Sequence, residues 1–118
     1  MMENHGVVGV FVGEEGKKTR CSIAVRAEQS REELEEQVRR EHPDANISLR
    51  RMYAFSCKGN VVDVETGLRK ILRQKFGPYT PAYFDWESYS VDTADEFMKY
   101  IETIVYLIDS ITAVQEIQ

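Results

Sequence analysis

Val7-Val8-Gly9-Val10-Phe11-Val12-Gly13, then Glu14-Glu15-Gly16-Lys17, then a segment over 18–26 in which Cys21, Ile23 and Val25 share one side: these residues decide the fold. The first run is short, apolar and rich in β-branched side chains, which suit a pleated strand. The polar quartet with its glycine turns the chain. The alternation that follows has the two-residue period of a second strand, so the chain opens with a β-hairpin.

Outward from the hairpin the period changes to that of helices. Ser30-Arg31-Glu32-Glu33 is a capping box, in which both side chains satisfy free backbone N–H groups at a helix start. The helix it opens runs to about Glu41 and stops before Pro43. Only Leu34 and Val38 give it an apolar stripe, so it lies on the outside. Residues 46–57 read as a third strand, with alternation broken at Arg50-Arg51 by a bend or bulge. Lys58-Gly59-Asn60 is a turn. A helix over 62–76 follows, with Val61, Val64, Leu68, Ile71, Leu72 and Phe76 at helical spacing. Gly67 inside it costs roughly 1 kcal/mol relative to alanine and hints at close packing.

Gly77-Pro78-Tyr79-Thr80-Pro81 reads as a loop. Tyr83 to Ser90 reads as a fourth strand with Phe84, Trp86 and Ser88 on one face. Thr93-Ala94-Asp95-Glu96 is a second capping box, opening the longest helix, expected over 94–114. Phe97, Ile101, Ile104, Ile108 and Ile111 form its stripe, widened by Met98, Val105, Leu107 and Val114. A stripe that wide suits a core and also offers a homodimer face on the C-terminal helix. The expectation is one α+β domain over 1–118, a small mixed or antiparallel sheet with flanking helices in the order β-β-α-β-α-β-α.

Composition narrows the function. A chain of 118 residues can bury a core without disulfides or metal. Cys21 and Cys57 share no metal-binding spacing and read as buried thiols in a reducing, cytoplasmic setting. No apolar run reaches the roughly 18 residues of a membrane span, and Ile101 to Ile111 is broken by Glu102 and Asp109. The net charge of −5 argues against a protein that coats DNA. The charge is uneven. Five basic and two acidic residues between Lys58 and Lys75 give +3, whereas eight acidic residues and Lys99 between Asp85 and Gln118 give −7.

His5 and His42 are too few and too poorly placed for a zinc site or a nucleophilic triad. Gly6, Gly9 and Gly13 precede no helix, so they form no phosphate loop. Asp63 and Glu65 begin the second helix near Arg69 and Lys70. There an acid beside basic residues can hold a divalent cation against a phosphate, although Glu65 and Arg69 are also spaced as an i,i+4 ion pair. Tyr79, Tyr83, Phe84, Trp86 and Tyr89 form an aromatic run near Arg73 and Lys75, on which bases can stack; Phe84 and Trp86 also read as core.

The stretch Val64-Glu65-Thr66-Gly67-Leu68-Arg69-Lys70-Ile71-Leu72-Arg73-Gln74-Lys75-Phe76 is similar to the Leu-Glu-x-x-Leu-His-x-x-Phe helix of the GIY-YIG nuclease superfamily, in its compact phage-type branch. Tyr83-Phe84-Asp85-Trp86 resembles that branch's Glu-Trp-Phe segment, and Ser22-Ile23-Ala24 stands in the place of its Lys-Ile-Gly or Tyr-Ile-Gly. The resemblance implies the element order read above and makes Glu65 a metal ligand. The departures are specific. The first strand has no tyrosine, Ser22 and Ala24 replace a polar residue and a glycine, Glu33-Leu34 stands for Arg-Leu, and Arg69 stands for His. One glutamate cannot alone generate a nucleophile, position it and stabilise a pentavalent phosphate. The expectation is a degenerate, non-cleaving domain with no cofactor, binding nucleic acid through Arg69, Arg73, Lys75 and Tyr79, or binding a host protein. The alternatives are an acidic phage or mobile-element inhibitor that docks on a host protein, and an active nuclease using a divalent cation at Glu65.

Overall fold

The computed structural model describes residues 3–15, 18–43, 46–79 and 86–117. Its elements are β1 (Glu3–Glu15), β2 (Lys18–Ala27), α1 (Arg31–Glu41), β3 (Ile47–Lys58), α2 (Val61–Phe76), β4 (Pro78–Tyr79), β5 (Ser88–Val91), α3 (Ala94–Ile104), a 3-10 turn at Val105–Leu107, and β6 (Ile111–Ile117). The strands form one sheet in the order β4-β5-β2-β1-β3-β6. Each neighbouring pair is antiparallel, so the protein has the expected α+β class.

The hairpin is the centre of the sheet. β1 pairs with β2 from Gly6↔Ala27 to Glu15↔Lys18 and with β3 along its other side. Successive side chains of β1 therefore feed two cores. Val8, Val10 and Val12 join Cys21, Ile23, Tyr53 and Phe55 on the face covered by α2 and α3, through Val64, Leu68, Leu72, Phe97 and Ile101. Val7 and Phe11 join Ala24, Leu49, Met52 and Trp86 on the opposite face, under Leu34 and Val38 of α1. The thin stripe of α1 is thus its buried apolar contribution, worth about 1.5–3 kcal/mol for each buried side chain. Gly9 lets α1 approach: a Cβ there would stand 2.6 Å from Leu34 Cδ2.

Local signals form as read. Ser30 Oγ accepts from the Glu33 N–H while the Glu33 carboxylate accepts from the Ser30 N–H, a complete capping box. At the start of α3 one half of the expected second capping box forms: Thr93 Oγ1 accepts from the Glu96 N–H. The register passes from Val10↔Arg51 to Phe11↔Leu49, which leaves Arg50 as the extra residue of a β-bulge. Gly67 is a close-packing position, since a Cβ there would meet Ile108 Cδ1 at 3.1 Å.

The end of the chain differs from the sequence reading. The helix expected to reach Val114 stops at Ile104, and after the 3-10 turn the chain reverses and adds β6 to β3. Ile104, Ile108 and Ile111 keep helical spacing, but Asp109-Ser110 makes a turn, and pairing with β3 satisfies backbone groups that would otherwise be left unpaired. The C-terminal helix also spends Phe97, Met98, Ile101 and Ile104 on the core. The expected fourth strand begins only at Ser88, and Pro78–Tyr79, read as loop, forms the short β4. Residues 83–85 of that expected strand lie outside the described residues.

Candidate functional site

Two of the residues singled out on α2, Arg69 and Arg73, reach the outer edge of β2 and the approach to β5. β5 pairs only with Thr19–Cys21 of that strand. Beyond it, side-chain donors take the outward carbonyls. Ile23 O accepts from Arg69 Nη2 at 3.0 Å and from Trp86 Nε1 at 3.1 Å. Val25 O accepts from Arg26 Nη1 at 3.0 Å, and Ala27 O from Gln29 Nε2 at 3.1 Å.

Arg69 and Arg73, one helical turn apart, present their guanidinium groups on one side of α2. The residue they meet is Glu87, in the short approach to β5. Arg69 Nη1 donates to the Glu87 carbonyl at 3.2 Å and to the Tyr89 hydroxyl at 3.2 Å, and lies 3.5 Å from Glu87 Oε2. Arg73 Nε donates to Glu87 Oε1 at 3.0 Å, with Nη2 also 3.0 Å from that oxygen. The Tyr89 hydroxyl donates to Glu87 Oε2. Ser22 Oγ donates to the Glu87 carbonyl at 2.6 Å. The side chain of Arg69 is 13% exposed, that of Glu87 20% and that of Arg73 54%, so the network runs from interior to surface.

The electrostatics follow from this packing. Burial pushes the Glu87 carboxyl up, but hydrogen bonds from Tyr89 and Arg73 and the charges of Arg69 and Arg73 outweigh it. The group is held below the usual carboxylate range. Burial, together with its bond to Glu87, pushes the Tyr89 phenol up to about 12. Chemically, one carboxylate occupies the position in which two guanidinium groups could grip a phosphate. The cluster ties α2 and β5 to the edge of β2, and an incoming anion would have to displace Glu87.

The other predicted residues lie elsewhere. Lys75 is exposed, with Nζ 5.6 Å from the Tyr100 ring centroid. Tyr79 pairs through its backbone with Ser88 in β4; its side chain lies outside the described part of the structure. Glu65 faces Arg26, with Oε2 3.9 Å from Nη1, and Arg26 Nη2 stands 2.8 Å from Glu41 Oε1. Its expected partner Arg69 turns to Glu87 instead. Among the described residues, no group of three or more His, Cys, Asp or Glu side chains is placed to hold a metal ion.

Of the aromatic run, Trp86 is core: it packs edge-on against Phe11 and stacks on His42 at 4.8 Å between centroids. Tyr83 and Phe84 lie outside the described residues. Both cysteines are free and buried, and burial raises the Cys21 thiol to about 12, so it is no nucleophile at neutral pH. Sequence reasoning missed Glu87 and Arg26, and it read Tyr89 as part of the aromatic run and not as a partner of Arg69 and Glu87. Nothing local marks them, because their partners arrive from distant segments. No helix among the described residues is long and apolar enough to cross a membrane. Comparison with protein-family models, curated proteins and solved structures gave no match.

Proposed function

We propose that this chain is a non-catalytic docking module of nuclease-like ancestry, cytoplasmic and free of cofactors, which presents an acidic helix to a basic surface on a protein partner. The observation that carries this reading is the solvent side of α3. Asp92, Asp95, Glu96, Glu102 and Asp109 are exposed there and on its flanks, against a single exposed Lys99. A surface of one sign steers a partner of the other and rejects like-charged competitors. The loss of chemistry is supported by the placement of Arg69 on Glu87 and of Arg26 beside Glu65. The test is recovery of a protein partner from source cells by the parent chain and by Asp95→Lys/Glu96→Lys/Glu102→Lys. A partner held by both alike sinks the reading.

A second reading rests on Lys70, Arg73 and Lys75, all exposed on the C-terminal half of α2. These are the groups from which nucleic-acid binding would come. It predicts an affinity for DNA or RNA that falls with salt and is lost in Arg73→Ala/Lys75→Ala. An affinity unchanged by that double variant rejects it. A magnesium- or manganese-dependent cleavage assay with Glu65→Gln as control separates both from an active nuclease; cleavage abolished by that substitution would overturn the non-catalytic reading.

A further inference from the structure

The two edges of the sheet are treated differently. At the β2 edge, Arg69, Trp86, Arg26 and Gln29 fill the carbonyl positions that β5 leaves open. The other edge, β6, has the sequence Ile-Thr-Ala-Val-Gln-Glu-Ile, with no proline or lysine to deter pairing. Its only charged side chain, Glu116, lies 3.6 Å from Arg51 of β3, so the strand carries little net charge. Ile111, Val114 and Ile117 stay half-buried on it, and the preceding Tyr106 and Leu107 are 68% and 63% exposed.

The direction of the backbone groups is fixed by the pairing. The Lys58 N–H donates to Ser110 O at 2.8 Å, and Thr112 Oγ1 donates to Ser56 O at 3.3 Å, so the even residues of β3 point their amides at β6. Opposite them stand Ala113, Gln115 and Ile117. In an antiparallel ladder these turn their amide groups inward, which leaves the N–H and C=O of Val114 and Glu116 pointing away from the sheet. The register shift at Cys57↔Ile111 puts a bulge at Thr112, so the regular edge runs over 113–117 and is centred on Gln115.

We propose that the chain forms a two-fold homodimer in which β6 pairs antiparallel with β6 of a second copy, Gln115 lying on the axis. In this register Val114 faces Glu116 of the second copy and Glu116 faces its Val114. Both outward residues of each strand then exchange hydrogen bonds, four in all, with no carboxylate opposite a carboxylate. A strand that meets its own copy in this way forms a closed, isologous interface that exposes no new edge. The register one step away places Glu116 opposite Glu116 and is disfavoured by like charge. The step in the other direction sets Glu116 against the bulged Thr112. The inference is independent of the partner proposed above.

The test is light-scattering mass across a concentration series, together with a cysteine at the axis. The parent is expected at twice the 13.6 kDa of one chain. Glu116→Pro deletes an outward N–H that β3 does not use and is expected to shift the mass to that of one chain while circular dichroism is retained. Gln115→Cys is expected to cross-link under mild oxidation, whereas Val114→Cys and the parent, whose cysteines are buried, are not. A parent of single-chain mass at every concentration overturns the proposal. So does a dimeric parent whose Gln115→Cys chain fails to cross-link, an outcome that is read even if the proline variant does not fold.

Discussion

Glu87→Ala is expected to destabilise the protein more than Arg69→Met, although the two substitutions break the same ion pair. The asymmetry comes from what each leaves behind. Without Arg69, the carbonyls and the carboxylate it served keep other donors: Ile23 O keeps the Trp86 indole, the Glu87 carbonyl keeps Ser22 Oγ, and the Glu87 carboxylate keeps Arg73 and Tyr89, while the Tyr89 hydroxyl loses a donor but still donates to Glu87. Methionine also fills the path of the arginine stem. What is lost is a set of charge-assisted hydrogen bonds, worth about 1.5 kcal/mol net. Without Glu87, the guanidinium of Arg69, 13% exposed, keeps neutral oxygens from Ile23, Tyr89 and residue 87 itself but has no counter-charge. Removing one partner of a buried pair typically costs about 3–5 kcal/mol, and the surviving neutral acceptors place this case near 3 kcal/mol. Urea denaturation of the two variants, compared at equal slope, measures the gap. Equal losses, or a greater loss for Arg69→Met, would refute the view that these acceptors are doubly served.

Ser30→Ala removes one half of the capping box and is expected to lower stability by about 1 kcal/mol, read from the urea midpoint. Gly9→Ala and Gly67→Ala should differ in sign. The first drives a Cβ into Leu34, Leu49 and Phe11 and costs about 1–3 kcal/mol, while the second meets only the mobile end of Ile108 and gains up to about 0.5 kcal/mol from helix propensity, both by thermal melting. Tyr89 has a raised folded-state pKa of about 12 against 10.0 as the ordinary value, so the unfolded chain loses this proton first. Its contribution is intact below pH 10 and is lost as pH rises toward 12, and Tyr89→Phe should flatten that part of the stability–pH curve.

What was legible in the sequence was local. The hairpin, both helix starts and the bulge at Arg50 each leave a signature within a few residues, because turn chemistry, capping and strand alternation act over that range. β6 was not legible, because Ile104, Ile108 and Ile111 continue a helical spacing past the point where α3 ends. What overrides the spacing is the free edge of β3, a partner more than fifty residues earlier in the chain. The same limit applies to the candidate site. The spacing of Arg69 and Arg73 on one side of a helix was readable, but Glu87, which decides what they do, stands 14 residues beyond Arg73 in the chain.

The basic character of Lys58 to Lys75 in the linear sequence therefore overstates the charge that a ligand meets. Arg69 caps a strand edge and, with Arg73, is balanced on Glu87, a residue counted in the acidic third of the chain. Folding thus cancels charge between the two segments whose opposite signs suggested opposite functions. What these segments leave exposed at the surface, among the described residues, is the acidic side of α3 and the lysines of α2. A phosphate backbone gains affinity in proportion to the number of cations that can reach it, so removing Arg69 from that number weakens the nucleic-acid reading more than any feature of composition does. The acidic side of α3 loses nothing in the same exchange, since Glu87 is not on it. That is the physical reason for placing a basic protein surface ahead of a nucleic acid as the partner.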